Sequence, residues 1–196
     1  MLVFVDIGAH NGQTIEEVIK PHYPFDKIIA IEPMPRQNRN LHYFFGHVPT
    51  LEIFHCGLSD KTGKTIIYGD NRHLEASIHP TKPNVNEEIT TECDFFEASE
   101  FFRKHLSADD TNIVKINCEG AEIIILNNLI DSGEIWKISK IAICWDIGKI
   151  PGMEGQEKLM KDRFEEIGFD AWKCPRLNGD THQERIAHWL RLIGVS

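Results

Sequence analysis

Asp6, Glu32, Asn117 and Glu119 are the side chains of this sequence best placed to do chemistry. Each stands at or just beyond the end of a short apolar run: LVFV before Asp6, KIIAI before Glu32, and NIVKI before Asn117, Cys118 and Glu119. An ionised carboxylate in such a place accepts hydrogen bonds from a bound amine or from paired hydroxyls. It can also take a proton from a reacting hydroxyl. Asn117 is an amide and cannot act as a base, but it can position a hydroxyl or an amine. Glu122 falls at the start of a predicted helix, where a carboxylate is favourable anyway.

The loop after Asp6 reads D-I-G-A-H-N-G-Q-T. A Walker loop needs a lysine after its last glycine, and this loop has none. A dinucleotide fingerprint needs a middle glycine so that the backbone can approach a pyrophosphate, and His10 stands there instead. Both phosphate readings weaken. What remains is a nucleoside ligand without phosphates, of which S-adenosylmethionine (SAM) is the common one. Asp6 or a loop carbonyl would take its amine. Backbone N–H groups at the start of the helix at Thr14 would take its carboxylate. Glu32 would accept from both ribose hydroxyls. Nicotinamide-dependent oxidoreductases use an acid at the same place, so the first loop, and not Glu32, separates the two ligands. The plainer alternative is that Gly8 and Gly12 only make a tight turn. The backbone of His10 is expected to matter more than its ring.

Positioning these residues requires alternating strands and helices. Strands are predicted at Leu2–Val5, Lys27–Glu32, Thr50–Gly57, Asn112–Ile116 and Lys140–Trp145, with a sixth at Phe169–Lys173. Helices are predicted at Thr14–Lys20, from Pro35 to about Gly46, at Asp94–Leu106, Ala121–Ile130 and Glu154–Ile167, and at 181–193 after a capping box from Thr181 to Glu184. Thr65–Tyr68 is expected to return as a hairpin after the turn at Asp60–Gly63. The long polar stretch Asn71–Glu92 carries His73 and His79 and is expected to close over the site. Strands that are apolar throughout imply a mostly parallel, doubly wound α/β sheet with helices on both faces. Its ligands lie beyond the carboxyl ends of the strands.

The chain of 196 residues is expected to form one domain over 1–196. Its formal net charge of −9 argues against a nucleic-acid binder and against a polybasic membrane anchor. Its longest apolar run is far short of a membrane span. Five cysteines without C-x-x-C spacing suggest neither a disulfide framework nor a zinc site, and no metal cluster is evident. The strand-end cysteines Cys56, Cys118 and Cys144 read as small buried hydrophobes. A reducing cytoplasm is the expected compartment.

Four blocks, VDIGAHNGQT, AIEPMP, HCGLSDKTGK and IVKINCEGAEIIILNNL, resemble the FkbM-type family of SAM-dependent methyltransferases, in the family's order and over residues 2 to about 146. The K-I-x-x-E-G-A-E block narrows the likeness from class I methyltransferases in general to this family. The resemblance implies a Rossmann-like SAM domain and methyl transfer, most often to a hydroxyl oxygen of a small molecule or glycan. It implies that Asp6, Gly8, Asn11, Gly12 and Thr14 contact the methionine part and the turn, with His10 in the same loop. Glu32 would hold the ribose, and Gly57, Leu58 and Ser59 would lie beside the adenine. Asn117 to Glu122 would face the methyl group and the acceptor, with Glu119 the first candidate for the base. The family usually carries aspartate where this chain has Asn117. Relatives often carry glutamate where it has Trp145-Asp146. The rival readings are a SAM-binding domain without turnover, a subunit whose cleft is completed by a second chain, including a homo-oligomer, and a nicotinamide-dependent oxidoreductase.

Overall fold

Leu2–Ile7 (β1), Lys27–Ile31 (β2), Leu51–Phe54 (β3), Thr111–Ile116 (β7) and Ile138–Ile143 (β8) form one fully parallel sheet in the order β3-β2-β1-β7-β8. The computed structural model describes residues 1–69, 76–173 and 177–195. β1 is buried from Val3 onward and β2 from Ile28 onward, as strands covered on both faces must be. Side chains alternate between the faces. Val3, Val5, Ile7, Val114 and Ile116 pack into one core, and Phe4, Ile28, Ala30 and Ile113 into the other.

The first core is closed by Ala98–His105 (α3), Glu122–Asp131 (α4) and Gln156–Glu166 (α5). The second is closed by Gln13–Val18 (α1), Pro35–Phe45 (α2) and His182–Leu192 (α6). The Thr181–Glu184 capping box is formed in both directions, so α6 starts where the sequence predicts. Trp189 of α6 is 1% exposed and meets the edge of Phe4 with ring centroids 6.3 Å apart. That packing holds α6 against α1 and brings the start of α6 to the sheet's ligand end.

Gly57–Ser59 (β4), Gly63–Tyr68 (β5) and Thr90–Glu97 (β6) form a second, smaller sheet in the order β4-β6-β5. This sheet corrects three sequence expectations. The run Thr50–Gly57 is not one strand: β3 ends at Phe54 on the main sheet, and β4 pairs with β6. Gly57 permits the departure, because a Cβ there would stand 2.4 Å from the Phe95 ring. Thr65–Tyr68 does not fold back on the third strand. It pairs antiparallel with β6, which lies between the two expected hairpin arms. Asp94–Glu97 is strand, not helix, and α3 begins only at Ala98. The alternation of buried Cys93 and Phe95 with exposed neighbours is a strand period, overlooked beside the helical FFRKH that follows.

Two further expectations fall. Phe169–Lys173 forms no strand. The Phe169 N–H closes onto the Phe164 carbonyl at the end of α5, and only Ala171 reaches β8, accepting from the Ile141 N–H. Cys144 is exposed, while Cys56 is buried. His73 and Cys174 lie outside the described residues.

Candidate active site

The strand order reverses direction at β1, which has β2 on one side and β7 on the other. At such a switch point the loops leave in opposite directions and a crevice opens. Here it is a cleft of about 930 Å³ counting its open mouth, lined by residues from the ends of β1, β2 and β7 and from the small sheet.

The floor follows from register. Asp6 and Lys115 are paired neighbours on β1 and β7 and share a face of the sheet. The Lys115 ammonium donates to Asp6 Oδ1 at 2.8 Å, with side-chain exposures of 3% and 0%. Burial alone would push the lysine down. The Asp6 carboxylate outweighs it and keeps the ammonium's pKa raised. Lys115 borders the cleft, whereas Asp6 lies beneath it.

The β1–α1 loop turns through Gly8 (φ 84°), His10 (φ 49°) and Gly12 (φ 87°). Gly8 has no room for a side chain: a Cβ would stand 2.0 Å from the Asn117 carbonyl oxygen. That contact seats the first loop against the loop after β7, and the Asn117 N–H donates to the Ile7 carbonyl at 2.9 Å. Gly12 packs on Leu41 and Phe45 of α2. The Asn11 side chain points outward and accepts from Asn40 Nδ2 at 2.9 Å.

Glu32, the residue after β2, is 5% exposed. Its carboxylate accepts from the backbone N–H of His10 (Oε2, 2.8 Å) and of Met34 (Oε1, 2.8 Å). Each oxygen keeps a lone pair for another donor. Burial pushes its pKa up to about 7 against the pull of those two N–H groups. His10 therefore uses its backbone to hold Glu32. Its ring nitrogens are both buried and without a hydrogen-bond partner.

The β7–α4 loop carries Asn117, Cys118 and Glu119, all bordering the cleft. Glu119 holds a left-handed backbone at φ 53°. The segment from Ala76 to Lys82 lies across this loop. Ser77 Oγ donates to the Glu119 carbonyl (2.6 Å), His79 Nε2 to the Gly120 carbonyl (3.2 Å), and the nearly buried Lys82 ammonium pairs with the Glu119 carboxylate. Burial raises the pKa of Glu119, and Lys82 opposes that rise. Glu122 is fully buried and accepts from the Gly120 N–H at 3.1 Å, with burial pushing its pKa up to about 7.

The cleft thus gathers Gly8, His10, Thr14, Glu32, Leu58, Asn117 and Glu119, and leaves Asp6, Asn11, Gly12 and Ser59 outside its lining. The Ser59 hydroxyl donates to Asp60 Oδ1 instead. A family model for the FkbM methyltransferase domain matches residues 6–185. The chain belongs to the FkbM methyltransferase family. Its fold agrees: the crystal structure of methyltransferase FkbM from Methylobacillus flagellatus KT aligns with a TM-score of 0.51 at 14% identity, over 82% of this chain. The chain spans 37% of the length of that protein. Among curated proteins no match was found.

Lys115 and His182 of this FkbM chain also border the cleft and were not among the sequence candidates. Lys115 is the middle of an apolar strand, and only the parity it shares with Asp6 could have marked it. His182 opens α6 and shares a 2.8 Å hydrogen bond with Thr14 Oγ1. Burial, then Lys115, lowers its pKa to about 4, so its ring is neutral at physiological pH. No local signal ties position 182 to position 14. Among the described residues no group of His, Cys, Asp or Glu has the spacing of a metal site, and no helix is long and apolar enough to cross a membrane.

Proposed function

We propose that this cleft binds SAM and that the chain transfers a methyl group to a hydroxyl oxygen of a small molecule or glycan. The observation that carries the reading is Glu32: a buried carboxylate at the end of β2, oriented by two backbone N–H groups and with acceptor capacity left over. That is what a ribose diol requires. His10 stands in the sequence where a dinucleotide fingerprint has the glycine that lets the backbone approach a pyrophosphate. Leu58, Ile67 and Phe95 supply an apolar wall suited to a purine.

When bound, SAM supplies a methyl carbon activated by its sulfonium. The chain's part is alignment in a water-poor cleft and care of the acceptor's proton. Glu119 is the base in this reading, held at the cleft by Ser77 and kept ionisable by Lys82. Asn117, at the same loop, positions the acceptor. The free cysteines among the described residues suit a reducing cytoplasm. We place no nucleic acid among the partners, given the charge of −9.

Thermal unfolding with SAM, S-adenosylhomocysteine, NAD or ATP tests the ligand. At about 100 times the dissociation constant a ligand adds about 2.7 kcal/mol, which raises the midpoint by roughly 5–10 °C at this chain length. The expected rise is with SAM and S-adenosylhomocysteine alone. A rise with NAD instead, or with none, refutes the reading.

A further inference from the structure

Residues 76–82 form a strap that ties two parts of the cleft together. At one end Ser77 pairs with Tyr68 of β5 through two backbone hydrogen bonds of 2.8 and 2.9 Å. Ala76 and Ile78 pack there against Ile67, Cys93 and Phe95 of the small sheet. At the other end Ser77 Oγ and His79 Nε2 hold the successive carbonyls of Glu119 and Gly120. A φ of 53° is uncommon for a residue other than glycine, and such backbone persists where its surroundings over-determine it. The strap, with Glu122 on the Gly120 N–H, supplies that constraint.

Lys82 closes the strap. Its side chain is 5% exposed and does not border the cleft, whereas Glu119 does. Lys82 therefore reaches Glu119 from outside the cleft lining. It takes one carboxylate oxygen, Oε2, and no described residue donates to Oε1. The other charges facing Glu119 are Asp146 and Lys149, from the segment after β8. They pair with each other and act on Glu119 in opposite senses. The charge of Lys82 is thus directed at Glu119.

We infer that Lys82 is a positioning residue for methyl transfer: from its place on the strap it holds Glu119 Oε2, presents Oε1 to the acceptor hydroxyl, and resets the base after each turnover. This rests on the reading of Glu119 as the base and deepens it. The proton leaving the acceptor oxygen goes to Oε1. Lys82 is then a buried ammonium beside a neutral acid, which is unfavourable, so the proton passes to solvent and the ion pair re-forms. Glu119 is 26% exposed, which gives that proton its way out.

Glutamate labelled with 13C at the side-chain carboxyl gives the titration midpoint of Glu119 by NMR without any acceptor, and Glu119→Gln identifies its resonance. Burial raises that midpoint and Lys82 opposes the rise. Lys82→Met is therefore expected to move it up by about one pH unit or more. Lys82→Arg keeps the charge and is expected to keep the midpoint near that of the wild type. Ser77→Ala cuts the strap from the Glu119 carbonyl, leaves both charges, and is expected to move the midpoint part of the way. Calorimetry with S-adenosylhomocysteine is expected to give affinities within about twofold of wild type for both Lys82 variants, a change under about 0.5 kcal/mol. A midpoint that does not rise in Lys82→Met, or a rise accompanied by loss of S-adenosylhomocysteine binding, overturns the assignment, since general loosening of the fold would account for the latter. A midpoint unmoved in Ser77→Ala overturns the part given to the strap. If the wild-type chain does not bind S-adenosylhomocysteine while Glu119 still responds to Lys82, the ion pair stands but the SAM reading fails, and the role in methyl transfer goes with it.

Discussion

Glu32 makes ligand affinity depend on pH, with a sign that the geometry dictates. Its carboxyl is 5% exposed and its pKa stands at about 7, because burial outweighs the two backbone N–H groups that favour the anion. Relative to an ordinary glutamate near 4.5, that rise corresponds to about 3 kcal/mol. The protonated form thus contributes stability to the free fold that is fully present below about 4.5 and lost as pH rises through about 7. A ribose diol donates to the anion and binds it preferentially. About a tenth of Glu32 is ionised at pH 6 and about nine-tenths at pH 8, so apparent affinity rises about tenfold between them. Calorimetry with 5′-methylthioadenosine, which has no carboxylate or amine of an amino acid, reads this directly. Glu122 also stands at about 7, so Glu32→Ala serves as the control. The variant is expected to bind weakly and with no such pH dependence. A wild-type constant that stays flat from pH 6 to pH 8 would refute the reasoning: either Glu32 is already ionised in the free cleft or the ribose does not engage it.

The Asp6–Lys115 pair beneath the cleft yields a stability prediction. Lys115→Met leaves a fully buried carboxylate without its cation and should lower unfolding free energy by about 3–5 kcal/mol at pH 7. Asp6→Asn combined with Lys115→Met should recover much of it, and denaturant titration of both variants would expose a failure to do so. Glu119→Gln should reduce methyl transfer by about a hundredfold or more while leaving S-adenosylhomocysteine affinity within about twofold; equal turnover would remove Glu119 as the base.

Much of the scaffold was legible because its strands are buried on both faces. LVFVDI, KIIAI and TNIVKI carry no solvent-facing alternation, and that pattern admits a parallel sheet between helix layers. The capping box of α6 was readable for a similarly local reason, since all of its hydrogen bonds lie within four residues. The strand-end residues of the cleft followed from the parallel topology, because such sheets bind beyond their carboxyl ends. Of the small sheet, Thr65–Tyr68 was legible as a strand but its partner was not: Thr90–Glu97 alternates as a strand does, yet that it pairs with both β4 and β5 is set by contacts far apart in sequence.

What the sequence alone determined was the alternation of buried strands and helices, the glycine turn after Asp6 and the acid at the end of the second strand. Those are consequences of local pattern and backbone sterics. Tertiary structure decided which of these residues reach the cleft. Parity and register put Asp6 beside Lys115, beneath the cleft. The packing of Trp189 on Phe4 fixed α6 where His182 meets Thr14. The crossing of 76–82 over the β7–α4 loop paired Lys82 with Glu119. Each is a contact between residues dozens of positions apart, and only the folded chain supplies the register that makes it.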